Sequence, residues 1–104
     1  MMAVQTKEDV FTLLRQSGAH LRRFGVERLS VFGSFARGQP NDQSDVDILV
    51  EFEPGRTSFD NFLSLAEFLE ELFGRKVDLM TPESLNPHFG HHILEEAERA
   101  TINA

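Results

Sequence analysis

The sequence contains no cysteine, no tryptophan and no tyrosine. Without cysteine the chain has no disulfide framework, no thiolate zinc site and no cysteine nucleophile, a composition that fits a cytosolic protein. No run approaches the roughly 18 apolar residues that a membrane-spanning helix requires. The first ten residues, MMAVQTKEDV, lack the apolar region of a signal peptide. We therefore expect a cytoplasmic protein with no membrane association.

Positive charge is also scarce. Ten Lys and Arg residues stand against 17 Asp and Glu residues, a formal net charge of −7. Because phosphate contacts require clustered Lys and Arg, we expect no direct binding of nucleic acid. A surplus of carboxylates suits a metal site or a basic protein partner, and it also serves solubility.

The remaining composition is that of a globular protein, with 40% hydrophobic and 26% charged residues. A chain of 104 residues has the length of one domain, which we expect to cover residues 1–104. Ten phenylalanines predict a Phe-rich core.

Helical and strand-like patterns alternate along the chain, which indicates an α/β or α+β fold of two layers. The patterns predict a helix over 7–23 that bends near Gly18, and a last helix over 90–99 with Ile93, Leu94 and Ala97 inward. Strands are predicted at 26–32, 45–52 and 76–80. Two further helices are predicted, a short one that Ser34 caps and Gly38 closes, and one from Ser58 to Gly74. The apolar core-facing stripe of the second consists of Phe59, Phe62, Leu63, Leu65, Ala66, Leu69 and Phe73.

The pair Gly33-Ser34 is followed, after ten residues, by Asp45-Val46-Asp47. Alternate residues of a strand face the same way, so Asp45 and Asp47 should project from one face with Cα atoms roughly 6–7 Å apart. Two adjacent carboxylates repel each other. A divalent cation relieves that repulsion, and Mg²⁺ prefers oxygen ligands.

A third carboxylate, Asp78, lies in the predicted strand at 76–80, between two apolar residues of opposite facing. If this strand neighbours the strand at 45–52, all three carboxylates share one surface. Three carboxylates can hold two Mg²⁺ ions, which activate an attacking hydroxyl and stabilise the leaving oxygen of an in-line displacement.

The residues around Gly33 are suited to a triphosphate. Glycine allows phosphate to approach the backbone without a Cβ clash. Ser34 contributes a hydroxyl and a helix start, whose free N–H groups favour anions. Arg37 lies one turn later, where its guanidinium can reach a phosphate oxygen.

Each of these short motifs occurs often in a purely structural role. The apolar residues that flank both carboxylate-bearing runs nevertheless indicate buried strands, where carboxylates need partners. Other candidates carry less. The cluster His88, His91 and His92 could bind zinc, but no cysteine or evident fourth ligand accompanies it, which favours a solvated helix start or a partner surface. Lys76 could contact a phosphate or simply be an exposed strand-end lysine.

The segments GSFARG, SDVDILVEF and KVDLMTPESL together resemble the minimal nucleotidyltransferases, the MntA-type branch of the DNA polymerase β-like superfamily. The similarity covers nearly the whole chain, from the first helix to ILEEA. It implies the nucleotidyltransferase fold, a small mixed β-sheet with helices packed on one side.

The resemblance also implies a function. Members of this branch are small antitoxins that transfer AMP from ATP, with Mg²⁺, to a tyrosine hydroxyl of a HEPN-domain RNase toxin and thereby silence it. By this resemblance Gly33 and Ser34 hold the triphosphate, Asp45 and Asp47 bind metal, and Asp78 binds the catalytic metal and helps to deprotonate the acceptor. Arg37 is then a phosphate contact.

Two alternative functions remain open at this point. The chain could be an antitoxin that blocks its toxin by contact alone, although the intact set of three aspartates argues against a decayed site. It could also be a nucleotidyltransferase with a small-molecule acceptor. Relatives with such acceptors carry additional helical domains that this sequence lacks.

Overall fold

The computed structural model describes residues 3–85, 87–88 and 90–102. Its helices are α1 (Lys7–Gln16), α2 (Gly18–Arg23), α3 (Gly33–Ala36), α4 (Phe59–Phe73) and α5 (Gly90–Glu96), with a 3₁₀ turn at Pro82–Ser84. Its strands are β1 (Val26–Phe32), β2 (Val46–Phe52), β3 (Val77–Met80) and β4 (Glu98–Arg99).

The described strands form a mixed sheet in the order β3-β2-β1-β4. Strand β1 is antiparallel to both β2 and β4, whereas β2 and β3 are parallel. The parallel pair is joined through α4, the crossover that parallel neighbours require. The predicted fold, a small mixed sheet with helices, is confirmed.

The two faces of the sheet differ in burial. On β2, Val46, Ile48 and Val50 are fully buried, and they join one apolar cluster with residues of the helices. Alternate side chains of a strand point to opposite faces, and on the other face of β2 Asp47 and Glu51 are partly buried beside the buried Leu49. Helices therefore cover one face, and the carboxylates lie on the other.

The first predicted helix is interrupted. Thr6 and Asp9 form a capping box at the start of α1, where the Asp9 backbone N–H donates to Thr6 Oγ1 at 3.1 Å. Helix α1 ends at Gln16, and α2 begins at Gly18 after the non-helical Ser17. The predicted bend is thus a break between two helices.

Helix α4 has the predicted ends. Ser58 Oγ accepts from the Asn61 backbone N–H at 3.0 Å, and Gly74 ends the helix in the left-handed conformation. Two members of its predicted core stripe are exposed, Phe59 at 75% and Leu63 at 45%. At about 100° per residue they lie at the rim of the stripe, whose centre is buried.

The C-terminal prediction is wrong in two respects. Helix α5 ends at Glu96 rather than at 99, and Leu94 is 55% exposed rather than inward. The next residues form β4, and the Ala100 backbone N–H donates to the Leu29 carbonyl at 2.9 Å. The open edge of β1 offers unpaired backbone groups, and these take the chain away from the helix.

No helix within residues 3–85, 87–88 and 90–102 has the length and apolar character needed to cross a membrane.

Candidate active site

The three predicted carboxylates converge at one end of the β2–β3 pair. In the parallel register of the two strands, Asp47 stands directly beside Asp78. Asp45 precedes β2, which begins at Val46, one residue later than predicted. The position of Asp45 is therefore set by the turn that precedes the strand. The expected adjacency of the two carboxylate-bearing strands is present.

Burial differs among the three carboxylates. Asp47 is half-buried, whereas Asp45 and Asp78 are exposed. The argument that apolar flanks would bury both carboxylate-bearing runs thus holds only for Asp47. The flanking residues Val46 and Val77 point to the helical layer, and the aspartates point away from it.

The electrostatics of the site centre on Asp47. Its pKa is raised from the ordinary value of 3.8 to about 6, mainly by burial and then by the negative charges of Asp78 and Asp45. The Arg37 charge opposes this rise in pKa, and the Glu96 charge adds to it. The negative charges of Asp78 and Asp45 therefore act on Asp47, and a cation would relieve this repulsion.

Gly33 makes room for Asp47. Its φ is +72°, and a Cβ atom at this position would lie 1.9 Å from Asp47 Oδ2. No side chain fits there without displacing the carboxylate. The sequence argument required Gly33 for the approach of phosphate, and the structure adds a second reason, which is the position of Asp47.

Ser34 lies beside this contact, but its predicted capping role is wrong. Helix α3 begins at Gly33, the capping position belongs to Phe32, and no side chain caps the helix. The tight turn allowed by the positive φ of Gly33 starts the helix one residue earlier. Ser34 is half-buried in its first turn.

Arg37 follows α3 and forms an ion pair with Glu96 at the end of α5. To contact a phosphate, the Arg37 guanidinium would have to release the Glu96 carboxylate or bind both groups at once. The sequence reasoning missed Glu96, because no local pattern relates a residue of the last helix to one 59 positions earlier.

The carboxylates suit a hard cation, with three oxygen-bearing side chains around a mutually repelling centre. Among the described residues, however, no three His, Asp or Glu side chains are already arranged to hold an ion together. The aspartates would therefore turn toward a cation as it binds. The same finding gives no support to a zinc site at the histidine cluster, where His91 and His92 are exposed. Lys76 precedes β3 and is exposed.

Comparison with known families identifies this arrangement. Residues 15–101 match the family model of the nucleotidyltransferase domain. The chain belongs to the nucleotidyltransferase family. Among curated relatives, this nucleotidyltransferase is 43% identical over 96 residues to the protein adenylyltransferase MntA of Thermococcus cleftensis, covering 91% of this chain and 96% of the relative.

Solved structures agree with the family assignment. One with the provisional description of a minimal nucleotidyltransferase superposes with a TM-score of 0.79 at 34% identity, covering 93% of this chain and 98% of that one. A Shewanella oneidensis complex of a tri-AMPylated HEPN toxin with an MNT antitoxin has a TM-score of 0.59 at 19% identity, covering 88% and 73%. The second likeness shows the shared fold alone. As a nucleotidyltransferase, the chain is an enzyme that uses a nucleotide as its donor substrate.

Proposed function

We propose that this nucleotidyltransferase is a cytoplasmic, Mg²⁺-dependent protein adenylyltransferase that acts as an antitoxin. It transfers AMP from ATP to a hydroxyl, that of a tyrosine, on a cognate HEPN-type RNase toxin. The observation that carries the proposal is the placement of Asp47 between Asp78 of the neighbouring strand and the backbone of Gly33. The adenylyltransferase and antitoxin functions named for the two relatives above supply the substrate and the partner.

Asp45, Asp47 and Asp78 are the residues that would hold two Mg²⁺ ions. Bound there, the ions would neutralise phosphate charge and increase the acidity of the acceptor hydroxyl. Burial and the neighbouring negative charges raise the pKa of Asp47, so a bound cation would stabilise its ionised carboxylate.

The reaction exchanges one P–O bond for another. The acceptor oxygen forms a bond to the α-phosphorus, the bond between the α-phosphorus and the bridging oxygen breaks, and pyrophosphate leaves. The hydroxyl proton passes to Asp78, which is exposed and therefore accessible to an acceptor. Because phosphoryl transfer requires little covalent chemistry from the protein, catalysis consists of positioning the reactants and stabilising charge.

The triphosphate would lie along Gly33 and Ser34, with Arg37 as a further contact. Gly33 and Ser34 are both half-buried in the first turn of α3. Arg37 would exchange its bond with Glu96 for a phosphate oxygen, since guanidinium binds phosphate with the same paired geometry as carboxylate.

The test is a transfer assay with ATP labelled in the α-phosphate, Mg²⁺ and the HEPN-type protein encoded beside this one. We expect label to enter the partner with the natural protein and to be lost with the double variant Asp45→Asn/Asp47→Asn. A second readout is inhibition of the partner's RNase activity, which should require ATP and the intact aspartates.

Asp42→Asn serves as the matched control, because Asp42 is an exposed carboxylate of the same turn and has no proposed role. It should transfer label like the natural protein. If the double variant silences the RNase as well as the natural protein while no label enters the partner, the chain is a binding antitoxin and the proposal fails. Label on a small molecule but not on the partner would indicate the other alternative.

A further inference from the structure

Arg75 connects three separate parts of the chain. It lies between α4 and β3, and its guanidinium donates three hydrogen bonds to backbone carbonyls: to Val4 at 2.7 Å, Asn41 at 2.9 Å and Ser44 at 3.0 Å. The guanidinium also lies over the ring of Phe35, 5.2 Å from its centroid. Arg75 therefore links distant parts of the chain, because each bond joins residues more than 30 positions apart.

Two of these bonds hold the turn that leads into Asp45. The turn has its own bonds, from the Ser44 backbone N–H to the Asn41 carbonyl at 3.1 Å and from the Asn41 backbone N–H to Ser44 Oγ at 2.9 Å. Arg75 adds bonds to both ends of it. The third bond and the Phe35 contact connect the turn to the N-terminal segment and to α3.

The backbone on both sides of Asp45 is hydrogen-bonded to two consecutive residues, Arg75 and Lys76. The carbonyl before Asp45, of Ser44, accepts from Arg75, and the N–H after it, of Val46, donates to the Lys76 carbonyl at 3.0 Å. The Asp45 side chain itself is exposed, so neighbouring side chains constrain it little. Its direction is therefore set by the backbone that Arg75 and Lys76 hold.

We infer that Arg75 is a positioning residue for the metal site: it holds the turn 41–44 in the conformation that presents Asp45 to the cation. The metal-binding part of this inference rests on the proposed function, and the holding of the turn does not. Lysine would not replace Arg75, since a single ammonium cannot span three carbonyls with the fixed fork of a guanidinium.

The sequence provides a matched control. Arg22 also donates to three backbone carbonyls, of Val26 at 3.0 Å, Glu27 at 3.1 Å and Ile102 at 3.3 Å. These bonds connect α2 to the start of β1 and to Ile102, and none of them reaches a proposed site residue. Arg75→Met and Arg22→Met each remove three hydrogen bonds to backbone carbonyls, together with the Phe35 contact of Arg75 and the ion pair of Arg22 with Glu53, so a general loss of stability should appear in both.

The first measurement is amide hydrogen exchange in the metal-free protein, which is independent of activity. In Arg75→Met we expect faster exchange at Ser44 and Val46, with Arg75→Lys intermediate. In Arg22→Met exchange at these two amides should match that of the natural protein. Equal exchange at Ser44 and Val46 in all proteins would overturn the inference.

The second measurement is the Mg²⁺ concentration that gives half-maximal AMP transfer. Loss of a residue that orients a metal ligand typically weakens metal affinity or activity about 10- to 100-fold, which is the shift expected for Arg75→Met. Arg22→Met should leave this concentration close to that of the natural protein, since its bonds reach no metal ligand. An equal shift in both variants would mean that Arg75 is merely structural. If the natural protein transfers no AMP, the proposed function fails, and the exchange experiment still decides whether Arg75 holds the turn.

Discussion

At the scale of single residues, the Asp47 carboxylate occupies the space where a side chain at position 33 would begin. Gly33→Ala places a methyl group 1.9 Å from Asp47 Oδ2 and forces alanine to a φ of +72°. We expect this variant to lose AMP transfer by about 100-fold or more, because a misplacement of about 1 Å at a catalytic group has effects of this size. The measurement is the transfer rate at saturating Mg²⁺–ATP.

Gly38 supplies the matched control for this substitution. Its φ is also +72°, but a Cβ atom there meets nothing within 4 Å. Gly38→Ala should therefore show the same backbone strain, about 1 kcal/mol of stability, while transfer is retained. Similar losses of transfer in both alanine variants would show that strain, rather than the contact with Asp47, explains the effect.

The raised pKa of Asp47 predicts how stability depends on pH. The folded protein holds this proton more tightly than the unfolded chain, so the metal-free protein should lose stability as pH rises from about 4 to about 6. A rise in pKa from 3.8 to about 6 corresponds to about 3 kcal/mol of free energy of unfolding for a fully buried group. Because the carboxyl is half-exposed and screened, we expect a loss of about 1 kcal/mol.

Urea unfolding in EDTA at several pH values measures this loss. Asp47→Asn should remove it, whereas the exposed control Asp42→Asn should keep it. A loss of equal size in the natural protein and in Asp47→Asn would assign it to other groups.

At the scale of elements, β4 is the strand that fixes the end of α5. The Ala100 backbone N–H donates to the Leu29 carbonyl, and Ala100 is buried. Ala100→Pro removes this donor and leaves the Leu29 carbonyl unpaired, which should cost about 1–3 kcal/mol of stability.

Thr101→Pro is the comparison for this variant, because Thr101 is exposed and follows the strand. Thermal unfolding should separate the two proline variants clearly. Equal melting temperatures would mean that the pairing of β4 with β1 contributes little to the fold.

The same strand shows where sequence reasoning stops. Periodicity located β1 and β2, the α4 caps and the carboxylate pair, because alternation and capping are local signals. Strand β4 has two exposed charged residues, Glu98 and Arg99, and its pairing with β1 depends on an open edge that no local pattern reports.

Long-range polar contacts are hidden from the sequence for a related reason. The pairs Arg37–Glu96 and Arg75–Ser44 join residues 59 and 31 positions apart. Arginine on a surface helix or loop is ordinarily solvated, so neither the partner of Arg37 nor the role of Arg75 is evident before the chain is folded. The prediction of one domain over residues 1–104 and the assigned roles of the site residues remain predictions.

At the scale of the whole molecule, an acidic chain of net charge −7 must bind a polyanion. ATP alone should bind weakly, because the triphosphate would meet three carboxylates without a cation between them. Mg²⁺ and ATP together should bind the folded state and stabilise it. At a hundredfold excess over the dissociation constant the gain is about 2.7 kcal/mol.

For a protein of this length, a gain of about 2.7 kcal/mol raises the melting temperature by about 10–20 °C. Thermal unfolding should show this rise with Mg²⁺–ATP, little change with ATP in EDTA, and no rise in Asp45→Asn/Asp47→Asn. Asp42→Asn should behave as the natural protein. A full rise with ATP in EDTA would contradict the metal site, because the nucleotide would then be bound without the cation that three clustered carboxylates require.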